Sequence, residues 1–508
     1  MLLAIIAAST FIVYSIIQLQ TTPPSTIAVY GGHVREHNDE LVMVRALGFS
    51  LNISLLWSDS LSLGPYSVLL QNLIPDNTTI ASNNDISSTI EDSLVLRIEF
   101  IPNHHRVWIN VSSDNDDSNL EFLVLGDSQG YQGGIQETTT ALSSFSPDFL
   151  FHCGDLTPFG LDTQYSEVSG ALDNSSVPVF TTAGNHDVRM DGGLRYKDWF
   201  GPSTYSFESN SAHFAILNTS KTTVSENEFQ WLLDDLNTTS KNLKIVFTHI
   251  PSFDPRPGKN HTLPQKIANR LMTLFEQTGV DYVFSGHIHM FNKTIINGVT
   301  YIITGGAGMS LAAPEEIGGI HHFVHAKLQE DSLLIEPIQL NEPDIPRDTV
   351  EVKGIESSIL LSLNDLKQLP YLEAFSSFQN QFGNWRGQGV YRGVKISDLI
   401  GLVGGMTVTD TLTARAYDGY SQSYCYYNVY PNGSWQELQG DMILAYQYNG
   451  TEIPEWDSGL RIVMLAPDGA YSNADCLATS APGMGCNMYY SGGARWARYV
   501  ARIEVTVD

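Results

Sequence analysis

The chain has 508 residues, with 55 Asp and Glu against 27 Lys and Arg and a formal net charge of −28. That length exceeds what one hydrophobic core serves and points to about three domains. The acidity argues against a nucleic-acid partner, because phosphate backbones are bound by a basic footprint, and it suits a solvated surface.

Residues 2–19 are uncharged and rich in Ile, Leu, Ala and Val, long enough to cross a bilayer as a helix, and are followed by Gln20-Thr-Thr-Pro-Pro24. Residues 1–24 therefore read as a signal peptide or a membrane anchor, with no basic flank to decide between them. Either way the bulk is exported, and the expected location is extracellular or at the cell surface. Asn52, Asn77, Asn110, Asn174, Asn218, Asn237, Asn260, Asn292, Asn432 and Asn449 each open an Asn-x-Ser/Thr triplet, the pattern of a glycosylated surface protein. Of the four cysteines, Cys476 and Cys486 flank a Pro-Gly loop that a disulfide would close, whereas Cys153 and Cys425 read as free or packed.

Residues 25–119 alternate short apolar segments with Asn, Asp and Ser turns, as in 41–44, 94–98 and 107–109, and read as a β-sandwich without a chemical motif. From 120 to 340 the pattern changes. Apolar, β-branched runs at 122–125, 148–151, 177–180, 243–247 and 280–284 read as buried strands. Helical spacing appears between them at 135–145, 225–236 and 263–277. Strand, loop and helix alternate as in a layered α/β domain, which places ligands beyond the carboxyl ends of the strands.

Each of those runs is followed by a polar motif: Gly126-Asp-Ser-Gln129, Gly154-Asp155, Gly184-Asn-His-Asp187, Thr248-His249 and Gly286-His-Ile-His289. Singly, a Gly-Asp is a strand-ending turn and Gly-Asn-His-Asp a capped one. In this order they form a donor set of carboxylate, amide and imidazole that suits two divalent ions, Mn, Fe or Zn. Asp155 is the natural bridge, because one carboxylate can hold two cations and offset their repulsion. Asp127, Gln129 and His289 would complete one ion, and Asn185, His249 and His287 the other. His152, His321, His322 and His325 lack a motif and read as packing residues. Arg189, Arg256 and Lys259 are phosphate-contact candidates by proximity alone.

In these motifs the stretch from about 120 to 340 resembles the calcineurin-like metallophosphoesterase superfamily, whose signature runs Asp-x-His, Gly-Asp, Gly-Asn-His-Asp/Glu, His and Gly-His-x-His. Gln129 stands where that family usually has His. The resemblance implies a central α/β β-sandwich flanked by helices, and attack on phosphorus by a hydroxide bridging the two ions. It also implies a catalytic role for His186, facing the leaving-group oxygen, and for Asp187, fixing the His186 tautomer.

Residues 341–346 read as a linker into a third unit, 341–508. Its segments 361–370, Gly389-Val-Tyr-Arg-Gly-Val-Lys-Ile-Ser-Asp-Leu-Ile400, Ala416-Tyr-Asp-Gly-Tyr420, 442–446 and 459–463 resemble the molybdopterin-binding domain of sulfite-oxidase-like enzymes, a mixed α+β fold. In that family a cysteine preceding the Gly-Val segment holds molybdenum. Here 375–385 contains none, which argues against molybdopterin and redox chemistry and for a retained binding or spacer module. Tyr420, Tyr424, Tyr426 and Tyr427 are candidates for lining its cleft. The expected protein is thus multidomain: an exported or membrane-anchored phosphoesterase acting on a phosphate monoester or diester. Cell-envelope or membrane association would fit, and the oligomeric state is open. The alternative is a surface glycoprotein with a structural or vestigial metal site.

Overall fold

The computed structural model describes residues 22–58, 60–113, 120–209, 211–308, 311–341, 348–417, 420–456, 458–488 and 490–507. The apolar segment 2–19 and the linker 341–346 lie almost wholly outside them. Among the described residues no helix is long and apolar enough to cross a membrane.

Two sheets face each other in the middle of the chain. One has five strands in the order Val179–Thr181, Phe149–His152, Glu121–Leu125, His322–Gln329, Ser332–Gln339. The other has six: Tyr205–Glu208, Ala212–Ile216, Leu243–Phe247, Tyr282–Ser285, Val299–Thr304, Phe291–Ile296. Strands buried on both faces need apolar residues at every position, and Glu121–Leu125 shows the division of labour. Phe122 and Val124 point into the space between the sheets, and Leu123 and Leu125 point outward under helices. The inner layer is built from rings: Phe122 stacks on Phe149 at 4.9 Å, Phe151 on Phe247 at 3.7 Å, and Phe284 meets Phe122 edge-on at 5.8 Å. Edge-on and offset contacts of this kind add to plain area burial.

The outer faces are covered by helices. Gln132–Ala141, Asp162–Leu172 and Gly192–Phe200 belong to the cluster over the five-stranded sheet, Glu226–Thr238 and Gln265–Thr278 to that over the six-stranded one. Helix, sheet, sheet and helix therefore form four layers. The parallel pairings of Glu121–Leu125 with Phe149–His152, and of Leu243–Phe247 with Tyr282–Ser285, align the carboxyl ends of these strands, so the loops carrying the polar motifs emerge together.

Residues 26–113 form two sheets around a core of their own, of four strands and of five. Two of their loop residues reach into the neighbouring layers. Phe49 inserts among Phe149, Phe180 and Phe207 at 5.7–6.0 Å. Asn72 accepts from the Val179 amide at 2.7 Å and donates to the Val179 carbonyl at 3.0 Å, which occupies the free edge of Val179–Thr181.

Residues 349–507 contain two further five-stranded sheets with short helices of four to seven residues, packed around one core. Cys476 and Cys486 form a disulfide with Cα atoms 5.6 Å apart, while Cys153 and Cys425 are free.

Candidate metal centre

Seven residues singled out by motif converge beyond the carboxyl ends of the central strands. Asp155 lies between two sets of donors. Its Oδ2 accepts from Gln129 Nε2 at 3.2 Å and its Oδ1 lies 3.3 Å from His249 Nε2. On the Gln129 side, His289 Nε2 is 3.4 Å from Gln129 Nε2 and 3.5 Å from Asp127 Oδ1. On the His249 side, Nε2 is 3.0 Å from Asn185 Oδ1, and the rings of His249 and His287 are 5.1 Å apart. Asp127, Asp155 and His249 are all buried, with ligand atoms within 4.8 Å of one another.

Backbone conformation is part of this arrangement. Asp127, Gln129, Asp155 and His287 all have φ between 47° and 69°, the left-handed region that side chains other than glycine seldom adopt. The turns allow the loops to approach backbone to backbone. A Cβ on Gly184 would collide with the Asp155 amide and carboxylate, and one on Gly286 with the Asp127 carboxylate.

The protonation states suit cation binding. Burial, with the neighbouring His249 and His261, pushes His287 down to about 2, so it is a neutral imidazole with a free lone pair. Burial disfavours charge on Asp155, yet His249, His186 and a hydrogen bond from the His186 amide hold it well below the usual carboxylate range. His249 donates from Nδ1 to the Cys153 carbonyl at 2.8 Å, which turns Nε2 toward Asp155. Asp127 Oδ1 is buried with no hydrogen-bond partner among the described residues. A buried carboxylate oxygen facing imidazoles and a second carboxylate is what a bound cation would satisfy, so these residues fit a divalent metal site.

His186 stands at the edge of this cluster. Its Nδ1 lies 3.1 Å from the Pro158 carbonyl, and Arg189 donates to its Nε2 at 2.9 Å. Asp187 does something else than the motif suggests. It is fully buried and accepts from the amides of Leu156, Thr157 and Gly184 and from the Thr157 hydroxyl at 2.8–3.2 Å, while the His186 ring bonds Pro158 and Arg189. It ties the Gly154-Asp155 loop to the Gly184-Asn185 loop, and the Pro158 carbonyl takes the part of orienting His186. Asp187 is accordingly corrected from a catalytic to a positioning residue.

The cluster floors a cleft of about 420 Å³. Gln129, Asp155, Asn185, His186, His287 and His289 line it, with Arg189, His261, Phe159, Tyr420 and Arg498 around them. Arg256 does not line it and is instead bonded to Asp254 at 2.7–2.9 Å; nor does Lys259. His152 is buried against Ser128 and pushed by burial down to about 3, His322 bonds the Ile320 carbonyl, and His325 bonds Glu121. Of the candidate tyrosines only Tyr420 lines the cleft. Tyr424 is buried with its hydroxyl on the Arg495 carbonyl, and Tyr426 and Tyr427 pack on each other. His261, whose ring lies 4.0 Å from His287, and Arg498 belong to no motif, and only folding reveals them.

Residues 120–291 match the family model described as calcineurin-like phosphoesterase. A probable cyclic nucleotide phosphodiesterase of Fibrobacter succinogenes is 25% identical over 147 residues, covering 28% of this chain and 57% of that protein. The serine/threonine-protein phosphatase CPPED1 of Danio rerio is 26% identical over 191 residues, covering 32% and 61% respectively. The chain thus spans little more than half the length of these curated relatives. Among solved structures, purple acid phosphatase PPD1 from yellow lupin (Lupinus luteus) seeds is similar at 14% identity and a TM-score of 0.42, covering 61% of this chain and 72% of that one. Motif order, strand-end geometry and family match thus agree for residues 120–291, which are similar to calcineurin-like phosphoesterase domains, a family of metal-dependent phosphoester hydrolases.

Proposed function

We propose that the protein is an exported or membrane-anchored phosphoesterase that hydrolyses a phosphate monoester or diester at a dinuclear metal centre. The observation that carries this reading is the convergence of six hard and intermediate donors around Asp155, which has one oxygen toward each donor set. Mn, Fe or Zn held there would supply positive charge to activate a water and to offset charge developing on the phosphoryl oxygens.

The chain's own residues account for orientation. The loop ties of Asp187 hold Asp155 and Asn185 in register, and the Cys153 carbonyl fixes the His249 ring. Arg189, bonded to His186 in this structure, is within reach of the cleft and is suited to turn its planar guanidinium onto a phosphate. His186 Nε2 is then released to face the leaving-group oxygen, and with the ring protonated it donates a proton or hydrogen bond there. Eight of the ten sequon asparagines are exposed, Asn218 and Asn292 being half-buried, which supports export and glycosylation.

The test is hydrolysis of p-nitrophenyl phosphate and bis-p-nitrophenyl phosphate by protein stripped of metal and reloaded with Mn, Fe or Zn, with bound metal measured in parallel. Asp155→Asn is expected to lose metal and turnover together. His186→Ala is expected to keep the metal and lose about 10²–10⁴-fold in kcat. An Asp155→Asn protein with normal metal content and normal turnover refutes the reading.

A further inference from the structure

The metal cleft does not end at the phosphoesterase layers. A second cavity of about 910 Å³ lies within the C-terminal unit, and Phe159, Arg189, Tyr420 and Arg498 line both, so the two form one elongated groove. Phe159 and Tyr420 meet edge-on at 5.1 Å across the join, and Tyr420 is bonded to the Ala494 carbonyl.

The charge of this groove is opposite to that of the molecule. In a chain with twice as many acids as bases, the larger cavity is lined by Arg189, Arg386, Arg461 and Arg498, with no Asp or Glu among its described lining residues. Three other arginines of the same unit are paired with carboxylates: Arg502 with Glu351 at 2.6 Å, Arg415 with Glu504 at 3.7 Å, and Arg392 with Glu373. Among the described residues Arg461 has no such partner. It lies 5.2 Å from the Phe378 ring and 5.7 Å from the Trp496 ring, and its Nε has no hydrogen-bond partner. Burial pushes its guanidinium down to about 10. A half-buried cation that lies over aromatic faces, with no carboxylate partner among the described residues, is under-compensated and favours an anion beside it. The buried Trp496 Nε1 is a second unused donor. At the mouth, Phe382 and Tyr490 are 76% and 62% exposed, open faces on which a flat group can stack.

We propose that the C-terminal unit forms the leaving-group subsite of one continuous substrate groove. It binds phosphoesters and phosphoanhydrides whose leaving group carries a second anionic group together with a planar ring, through Arg461, Arg498 and Arg386 and the rings of Phe378, Phe382 and Tyr490. This rests on the phosphoesterase reading for its place in catalysis, and on the cavity alone for binding. Arg461 and Trp496 contact this distal part of the ligand, and the scissile phosphate stays over Asp155 and His186.

The experiment has two arms on the full chain. In the first, metal is removed by chelation and the binding of adenosine 5′-diphosphate is followed by tryptophan fluorescence and calorimetry, with inorganic phosphate as the comparison. Adenosine 5′-diphosphate is expected to bind at least tenfold more tightly than phosphate, and Arg461→Gln to weaken it at least tenfold. Arg498→Gln and Arg386→Gln, both at exposed positions, carry the same test if Arg461→Gln does not fold. Absence of adenosine 5′-diphosphate binding, or equal binding by wild type and all three variants, overturns the proposal. In the second arm, with metal restored, Arg461→Gln is expected to lower the ratio of kcat/KM for adenosine 5′-diphosphate to that for p-nitrophenyl phosphate at least tenfold, mainly through KM. An unchanged ratio overturns the subsite's role in catalysis. Binding in the first arm without turnover of either compound by wild type refutes the phosphoesterase reading and leaves the subsite standing.

Discussion

Asp127, Gln129, Asp155 and His287 share a backbone conformation that ordinary residues avoid, and each such turn costs of order 1 kcal/mol or more. Strain at four of seven candidate ligands is tolerated because surrounding bonds over-determine it, and Asp187 holds the residues that flank Asp155 and Asn185. Asp187→Ala would leave three amides and the Thr157 hydroxyl unpaired in a dry loop. With about 1–3 kcal/mol for each unpaired buried group, and some repair by water, the expected destabilisation is roughly 3–5 kcal/mol. It is to be read from the urea midpoint. An unchanged midpoint with lost turnover would return Asp187 to a catalytic role.

At the scale of elements, the strand Ala212–Ile216 and the helix Glu226–Thr238 are joined by a titratable bond. His213 Nε2 lies 2.7 Å from Asp235 Oδ2 and Nδ1 lies 3.3 Å from Glu208 Oε1. Burial alone would lower its pKa, but the two carboxylates outweigh that and raise it. A folded-state pKa above the unfolded value of about 6.5 contributes stability that is complete below about pH 6.5 and disappears as pH rises through the folded value. Unfolding free energy is therefore expected to decline through this window as pH is raised, and His213→Gln to flatten that decline in urea titrations from pH 5 to 9. An identical pH profile in the variant would remove His213 as its source.

At the scale of the whole molecule, the site draws its groups from loops far apart in sequence, so anything bound there links them. Ligand binding to the folded state alone stabilises by about 2.7 kcal/mol at a hundred times its Kd. Manganese at that excess is expected to raise the Tm of the unit containing the site by roughly 5–10 °C in calorimetry against a chelated control. Asp155→Asn is expected to show no such rise. The Asn72 and Phe49 contacts tie the N-terminal sheets to the same layers, so their transition should move with it.

The central strands and the donors of the site were legible because their chemistry is local. A β-branched run ending in Gly-Asp or Gly-Asn-His-Asp marks both a buried strand and the turn that exposes a ligand, and each needs only neighbouring residues. The ring pattern at Phe122, Phe149 and Phe247 follows from the same alternation. Asp187 was misread because adjacency to His186 in sequence does not give side-chain direction, which the loop's hydrogen bonds decide. His261 and Arg498 were invisible as site residues for a related reason. They enter the cleft only when distant loops, and for Arg498 a separate unit, pack together, and no local pattern records which loops will meet. The acidic composition likewise suited a solvated surface, and only the tertiary structure gathered arginines along one groove, because packing rather than composition decides where charges meet.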